Sequence, residues 1–226
     1  MAPPSPDLYA FIHKTLRLGL SELLIRIGNT DPCDLDAWSR VEVEGHALHD
    51  LLLSHSRHED EFVHPLIRTA APAVAETLDA DHGRLDADVR RMGKALGDLR
   101  DVTDPAVRAA RARELYLDLS GFVAAYFRHL LVEETQAMPA LNRHFPAETL
   151  LNTHLNLVGA IPPEEKLRDL PLIVRALTPP ERIGLLRATQ ATAPAAFFEQ
   201  ACRVVRQALG EEAYAAVEQA LWPVNV

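Results

Sequence analysis

From Tyr9 to Glu133, apolar residues recur at alternating steps of three and four, the spacing that keeps them on one stripe of an α-helix. The first stripe reads Tyr9, His13, Leu16, Leu20, Leu23, Ile27, and the second Val41, Gly45, Leu48, Leu52, His55, Glu59, Phe62, Leu66. The third reads Leu78, His82, Leu85, Val89, Met92, Leu96, Leu99, and the fourth Leu115, Leu119, Phe122, Tyr126, His129, Glu133. They predict four long helices: Pro6 to about Gly28, about Asp34 to about Arg68, Pro72 to Asp101, and Asp104 to about Arg143. Gly28-Asn29, Asp31-Pro32, Ala71-Pro72 and Asp104-Pro105 supply the breaks, with Pro105 at a first helical position. β-branched alternation is nearly absent. Short connections between long helices favour an antiparallel up-down four-helix bundle, so the chain reads as all-α.

Beyond about Pro146 the helical stretches shorten, broken by Pro162-Pro163, Pro171, Pro179-Pro180 and Pro194. Thr178-Pro-Pro-Glu181 is a capping box, and Gly210 is a stop before a last helix ending near Trp222. The expected organisation is a bundle over residues 1–145 followed by several short helices over 146–226, which pack on the bundle or form a homodimer surface.

Composition narrows the picture. Of 226 residues, 48% are apolar and 24% charged, enough to build a real core. The net charge of −9 repels phosphate backbones, which argues against nucleic acid as a partner. The start, MAPPSPDLYAFIHK, has no basic region leading into an apolar run, and no uninterrupted apolar stretch approaches about 18 residues. Neither a secretory leader nor a membrane span is expected. Cys33 and Cys202 lie far apart and form no CxxC, so no disulfide framework or zinc knuckle is expected, and residence is expected to be cytoplasmic.

The chemistry lies in the ten histidines. Each of the four stripes carries one, at His13, His55, His82 and His129, and two stripes carry a glutamate four residues later, Glu59 and Glu133. Burying a carboxylate without a partner costs several kcal/mol, so polar groups converging inside an apolar bundle need something to satisfy them. A metal pair does so, because imidazole nitrogens and bridging carboxylates suit iron, manganese or zinc. The arrangement repeats: His55-Ser-Arg-His-Glu59 is followed by Pro65, and His129-Leu-Leu-Val-Glu133 by Pro139, each proline six after the glutamate. The chain reads as two similar helix pairs, each supplying His and then His-x-x-x-Glu.

As a set on successive helices, His13, His55-x-x-x-Glu59, His82 and His129-x-x-x-Glu133 resemble the hemerythrin-like (HHE cation-binding) domain, over about residues 6–145. The resemblance implies an antiparallel bundle holding a non-heme, oxo- or hydroxo-bridged pair of iron ions. It also implies Glu59 and Glu133 as bridging carboxylates and the four histidines as terminal ligands. Oxygen-carrying members place a second histidine four after the one on helix three, where this chain has Asp86. On helix four they use an aspartate five after the histidine, where this chain has Glu134 beside the better-phased Glu133. Fewer nitrogen and more oxygen donors make a harder site, which favours the ferric state over reversible dioxygen binding. The pattern is closer to the iron-sensing and stress-response branches.

His58 and Glu61 flank the stripe, and Asp86 lies one turn after His82; these three are additional ligand candidates or partners that orient ligand imidazoles. His46, His49 and His64 fall on other faces and are expected at the surface, as are His144 and His154. Tyr9 and Tyr126 share the stripe with His13 and His129, either as plain core residues or as donors of a hydrogen bond to a bound oxygen species. A ferritin-like reading fails because only one Glu-x-x-His occurs, Glu61-Phe-Val-His64. A zinc-peptidase reading fails because His58-Glu59-Asp60-Glu61-Phe62 lacks the second histidine. The expected function is a two-iron centre meeting dioxygen, peroxide or nitric oxide, in sensing, stress protection or iron handling. A helical interaction module with a structural metal, or an oxidase or peroxidase-like enzyme, stands as the alternative.

Overall fold

The computed structural model describes residues 6–222, and no strand occurs among them. The first five residues, part of the start over which no leader was expected, and residues 223–226 at the end of the expected extension lie outside the described residues. Helix α1 spans Ala10–Asn29. Helix α2 runs through Leu35–His58, a π-helical turn Glu59–Val63 and a resumed α segment His64–Ala70. Helix α3 is Pro72–Asp98, closed by a 3₁₀ turn Leu99–Asp101. Helix α4 repeats the design of α2, with Pro105–Val132, a π-turn Glu133–Ala137 and Met138–His144. Five shorter helices follow: α5 Ala147–Ala160, α6 Pro163–Ala176, α7 Pro179–Thr192, α8 Ala195–Leu209 and α9 Glu211–Leu221.

Local chemistry sets the helix boundaries. Asp34 caps α2 by accepting from the Ala37 N–H, and Asp104 caps α4 by accepting from Ala106 and Val107. Such caps satisfy amides that have no intrahelical partner, each worth about 1 kcal/mol. Thr178 and Glu181 form the expected capping box of α7, and Gly210 ends α8 at φ +79°, a conformation that costs glycine least. Pro171 is a difference from expectation, since α6 runs straight through it. A mid-helix proline costs about 3 kcal/mol. Here Leu170 and Val174, on either side of it, are anchored in a shared core with Phe198, Val205 and Leu221.

The described residues divide into two compact units. The first holds 6–10 and Gly19–Leu157; the second holds 158–222 with Phe11–Leu18 of the continuous helix α1. The division falls inside α5. In the first unit α2 packs on α3 and α3 on α4. Every stripe residue of α3 and α4 is buried, as are those of α2 through Glu59 and those of α1 except Leu23. Pro105–His144 is also long and apolar enough by composition to cross a membrane; its apolar stripe lines the bundle core. A cluster of Tyr9, Val63, Ile67, Leu78, Met138, Leu141 and Leu150 closes one end of that core. Each buried aliphatic side chain of this kind stabilises the fold by about 1.5–3 kcal/mol.

On α2 the stripe changes phase after Glu59. Phe62 and Leu66 are only half-buried, whereas Val63, His64 and Ile67 are almost fully enclosed. A π-turn holds one residue more than an α-turn, so every later side chain is rotated by about one residue's angle.

Candidate metal centre

Both π-turns begin on the stripe glutamates, and the prolines six residues later explain why. Pro65 and Pro139 carry no amide hydrogen, and in a regular helix their rings would press on the carbonyls of Glu61 and Thr135 four residues back. Widening the turn relieves the clash without ending the helix. The amides just before the prolines reach five residues back instead, His64 N–H donating to the Glu59 carbonyl and Met138 N–H to that of Glu133. Upstream the α-helix is regular, so His55 and Glu59, like His129 and Glu133, lie one turn apart on the inner face.

Three groups of ligand-type atoms result among the described residues, the atoms of each within 4.8 Å of one another: His13, His55, Glu59 and Glu133; Glu59, His82, His129 and Glu133; and Asp60, His64 and His82, of which Asp60 is exposed. The first two each pair two imidazoles with the same two carboxylates, and all six of their residues are buried. The first pair of histidines comes from α1 and α2, the second from α3 and α4. His55 Nε2 lies 3.3 Å from Glu59 Oε1, and His82 Nε2 lies 3.4 Å from Glu59 Oε2. His129 Nε2 is 3.4 Å from Glu133 Oε1, with His82 Nε2 4.0 Å from that same oxygen.

The surrounding residues fix the outer faces of these rings. The His82 Nδ1 atom is 2.7 Å from Asp60 Oδ1, leaving Nε2 toward the glutamates. His129 Nδ1 faces Asp81 Oδ2 at 3.7 Å. The His64 ring stacks on that of His82, centroids 4.6 Å apart, and its Nδ1 is held at 2.7 Å by Asp79, which Arg68 also grips. A carboxylate behind an imidazole selects the tautomer and orientation that a metal ligand needs.

The electrostatics follow from burial. Burial, and then the charge of Glu59 to which it is also hydrogen-bonded, raise the Glu133 carboxyl well above the usual carboxylate range. Burial acts to lower the His82 imidazole, but hydrogen bonds and charge from Asp60 and Glu59 outweigh it and push it up to about 10. Tyr9 and Tyr126 are raised by burial and then by the charges of Glu133 and Glu59, so both phenols remain hydrogen-bond donors beside the carboxylates.

The six stripe residues singled out in the sequence are those brought together. His58, Glu61 and Asp86 fall in none of these groups. His58 is buried but turned toward Ser54, Glu61 is exposed, and Asp86 pairs with Arg90 at 3.6 Å. His64 corrects the expectation of a surface position: it is fully buried, because the π-turn rotates it inward. Asp60 and Asp79 were not legible as partners of His82 and His64; the available signal was Pro65, lying inside a helix expected to run on to about Arg68. His46 and His144 are exposed, His49 and His154 partly so.

The residues fit a pair of cations. Donors about 2.0–2.2 Å from a shared ion and separated by tetrahedral or octahedral angles stand about 3–3.5 Å from each other. The separations of 3.3 and 3.4 Å match those edges. Mixed imidazole and carboxylate donors suit a first-row transition ion.

No curated protein and no solved structure matches this chain. The family model for the hemerythrin HHE cation binding domain does, over residues 7–141. That span contains all six clustered side chains and more than half of the sequence, so the chain belongs to the hemerythrin HHE cation-binding family.

Proposed function

We propose that the two His/Glu groups hold two iron ions and that the pair responds to dioxygen, nitric oxide or peroxide, serving sensing, stress protection or iron handling. The observation that carries this reading is the sharing of Glu59 and Glu133 between groups that are otherwise separate pairs of histidines. Shared carboxylates set two ions side by side, and four protein donors per ion leave positions open in an octahedral sphere. Iron would supply electron exchange and affinity for small diatomic ligands.

The chain's own residues do the rest. The imidazoles of His13, His55, His82 and His129 come from four different helices, and Asp60 fixes the His82 tautomer. Tyr9 and Tyr126 hold phenolic protons next to the carboxylates, and the cluster of Val63, Ile67, Leu78 and Leu141 excludes bulk water at that end. Each ion would face two imidazoles and the two shared carboxylates, as many oxygen as nitrogen donors, and this set supports a ferric resting state rather than reversible oxygen carriage.

Metal analysis of protein purified without added metal tests the reading. Wild type is expected to hold two iron ions per chain with ferric near-ultraviolet absorption. His13→Ala belongs to one group and is expected to lose one ion; Glu59→Ala belongs to both and is expected to lose nearly all. Stoichiometric zinc with a featureless spectrum, or equal losses in the two variants, would refute it.

A further inference from the structure

Away from the His/Glu layer the bundle core is not filled. A cavity of about 40 Å³ lies within the first unit, walled chiefly by Leu48, Leu52, Val89, Met92, Leu119 and Phe122. A water site needs about 10–15 Å³ of such space and two to four polar partners. The room is sufficient and the partners are missing, because His49 is the only polar side chain in the lining. A space with so few polar partners holds water weakly and takes small apolar guests.

Its position ties it to the metal centre. On α2, Leu52 lies less than one turn before His55. On α4, Phe122 and His129 are seven residues apart, about 10 Å along the axis. Between them stands Tyr126, its ring centroid 5.4 Å from that of Phe122 and 5.9 Å from that of His129. Toward solvent the wall is formed by His49, whose side chain is 25% exposed, lying against Gly93. A Cβ built at Gly93 would stand 2.8 Å from His49 Cδ2, so the glycine gives the imidazole room to lie where it does.

We propose that this cavity is a holding site for an apolar diatomic gas, dioxygen or nitric oxide, entered past His49 and separated from the His/Glu groups by the Phe122 and Tyr126 rings. The inference rests on the functional reading above and deepens it: an apolar chamber admits these gases and discriminates against peroxide, which would surrender its hydrogen bonds to water.

The test has a metal-independent arm and a metal-loaded arm. In metal-free protein under xenon pressure, methyl resonances of Leu48, Val89 and Leu119 are expected to shift saturably. Val89→Phe, which fills the space, abolishes the shifts; Val89→Ile adds one methylene, is gentler on the fold, and weakens them. In iron-loaded protein of unchanged metal content, rapid mixing with nitric oxide and, separately, with dioxygen is expected to show association slowed about tenfold in the filled variants. A slowing confined to one gas identifies the guest.

Absence of saturable shifts in wild type overturns the holding site whatever the metal. Unchanged association rates in both filled variants overturn its place on the route. Xenon binding in a protein whose iron reacts with neither gas refutes the functional reading, and the gas-holding role falls with it.

Discussion

Deleting Glu61 tests the register argument at its source. Glu61 is exposed and lies inside the first π-turn, so its removal takes away no buried group and leaves His55 and Glu59 on an intact helix. Closing the turn to α geometry takes out the extra residue, so Val63, His64 and Ile67 keep their inward positions. What changes is Pro65, which is no longer relieved by the wide turn and costs about 3 kcal/mol. That is a large share of the whole stability of a domain, about 5–15 kcal/mol. Urea unfolding of the metal-free proteins reads this directly. The deletion variant is expected to lose about 3 kcal/mol, and adding Pro65→Ala to it is expected to restore most of the loss. Pro65→Ala alone, which keeps the extra residue and every buried contact, is expected to change stability by less than about 1 kcal/mol. A deletion variant within about 1 kcal/mol of wild type would refute the claim that the wide turn absorbs one residue to relieve Pro65.

Two further outcomes follow from the site. Glu133 and His82 both have folded-state pKa values above their unfolded ones, so their stabilising contributions are complete at acid pH and are lost as pH rises. The loss starts in the ordinary carboxylate range for Glu133, and runs from about 6.5 to about 10 for His82. Melting temperatures of metal-free protein should therefore fall from about pH 5 to about pH 10, and the loaded protein, whose ligands have already given up those protons, should vary less; a rise for metal-free protein over that window contradicts the assignment. Asp60→Asn leaves His82 Nδ1 a neutral acceptor in place of an anion, and metal affinity should drop about 10–100-fold with the fold intact, read by competition with a chelator. An unchanged affinity would mean that Asp60 does not orient the ring.

The stripes of α3 and α4 were legible because nothing interrupts their period, and each stripe residue counted off on them is buried. The same counting found His13, His55, Glu59, His82, His129 and Glu133, since all six lie upstream of any slip in their own helix. It failed beyond Glu59, where Phe62 and Leu66 were expected inside and Val63 and Ile67 are found there. A fixed step of three and four assumes a constant turn. The proline that signals the change is chemically ambiguous, since a helix can end at it, as before Pro72, or widen around it. Pro171 shows a third outcome, in which core contacts on both sides hold a helix straight through. Asp60 escaped notice for a related reason: only the slipped turn brings a nominally outer residue across to α3.

The two widened turns also divide the donors mechanically. His55 and His129 ride on unbroken α-helical rods, one turn before Glu59 and Glu133, the first residues of the looser links. Nitrogen donors are thus clamped and oxygen donors are mounted on joints. Swapping one cation for another of different radius should displace the carboxylates first, with the imidazole framework standing still.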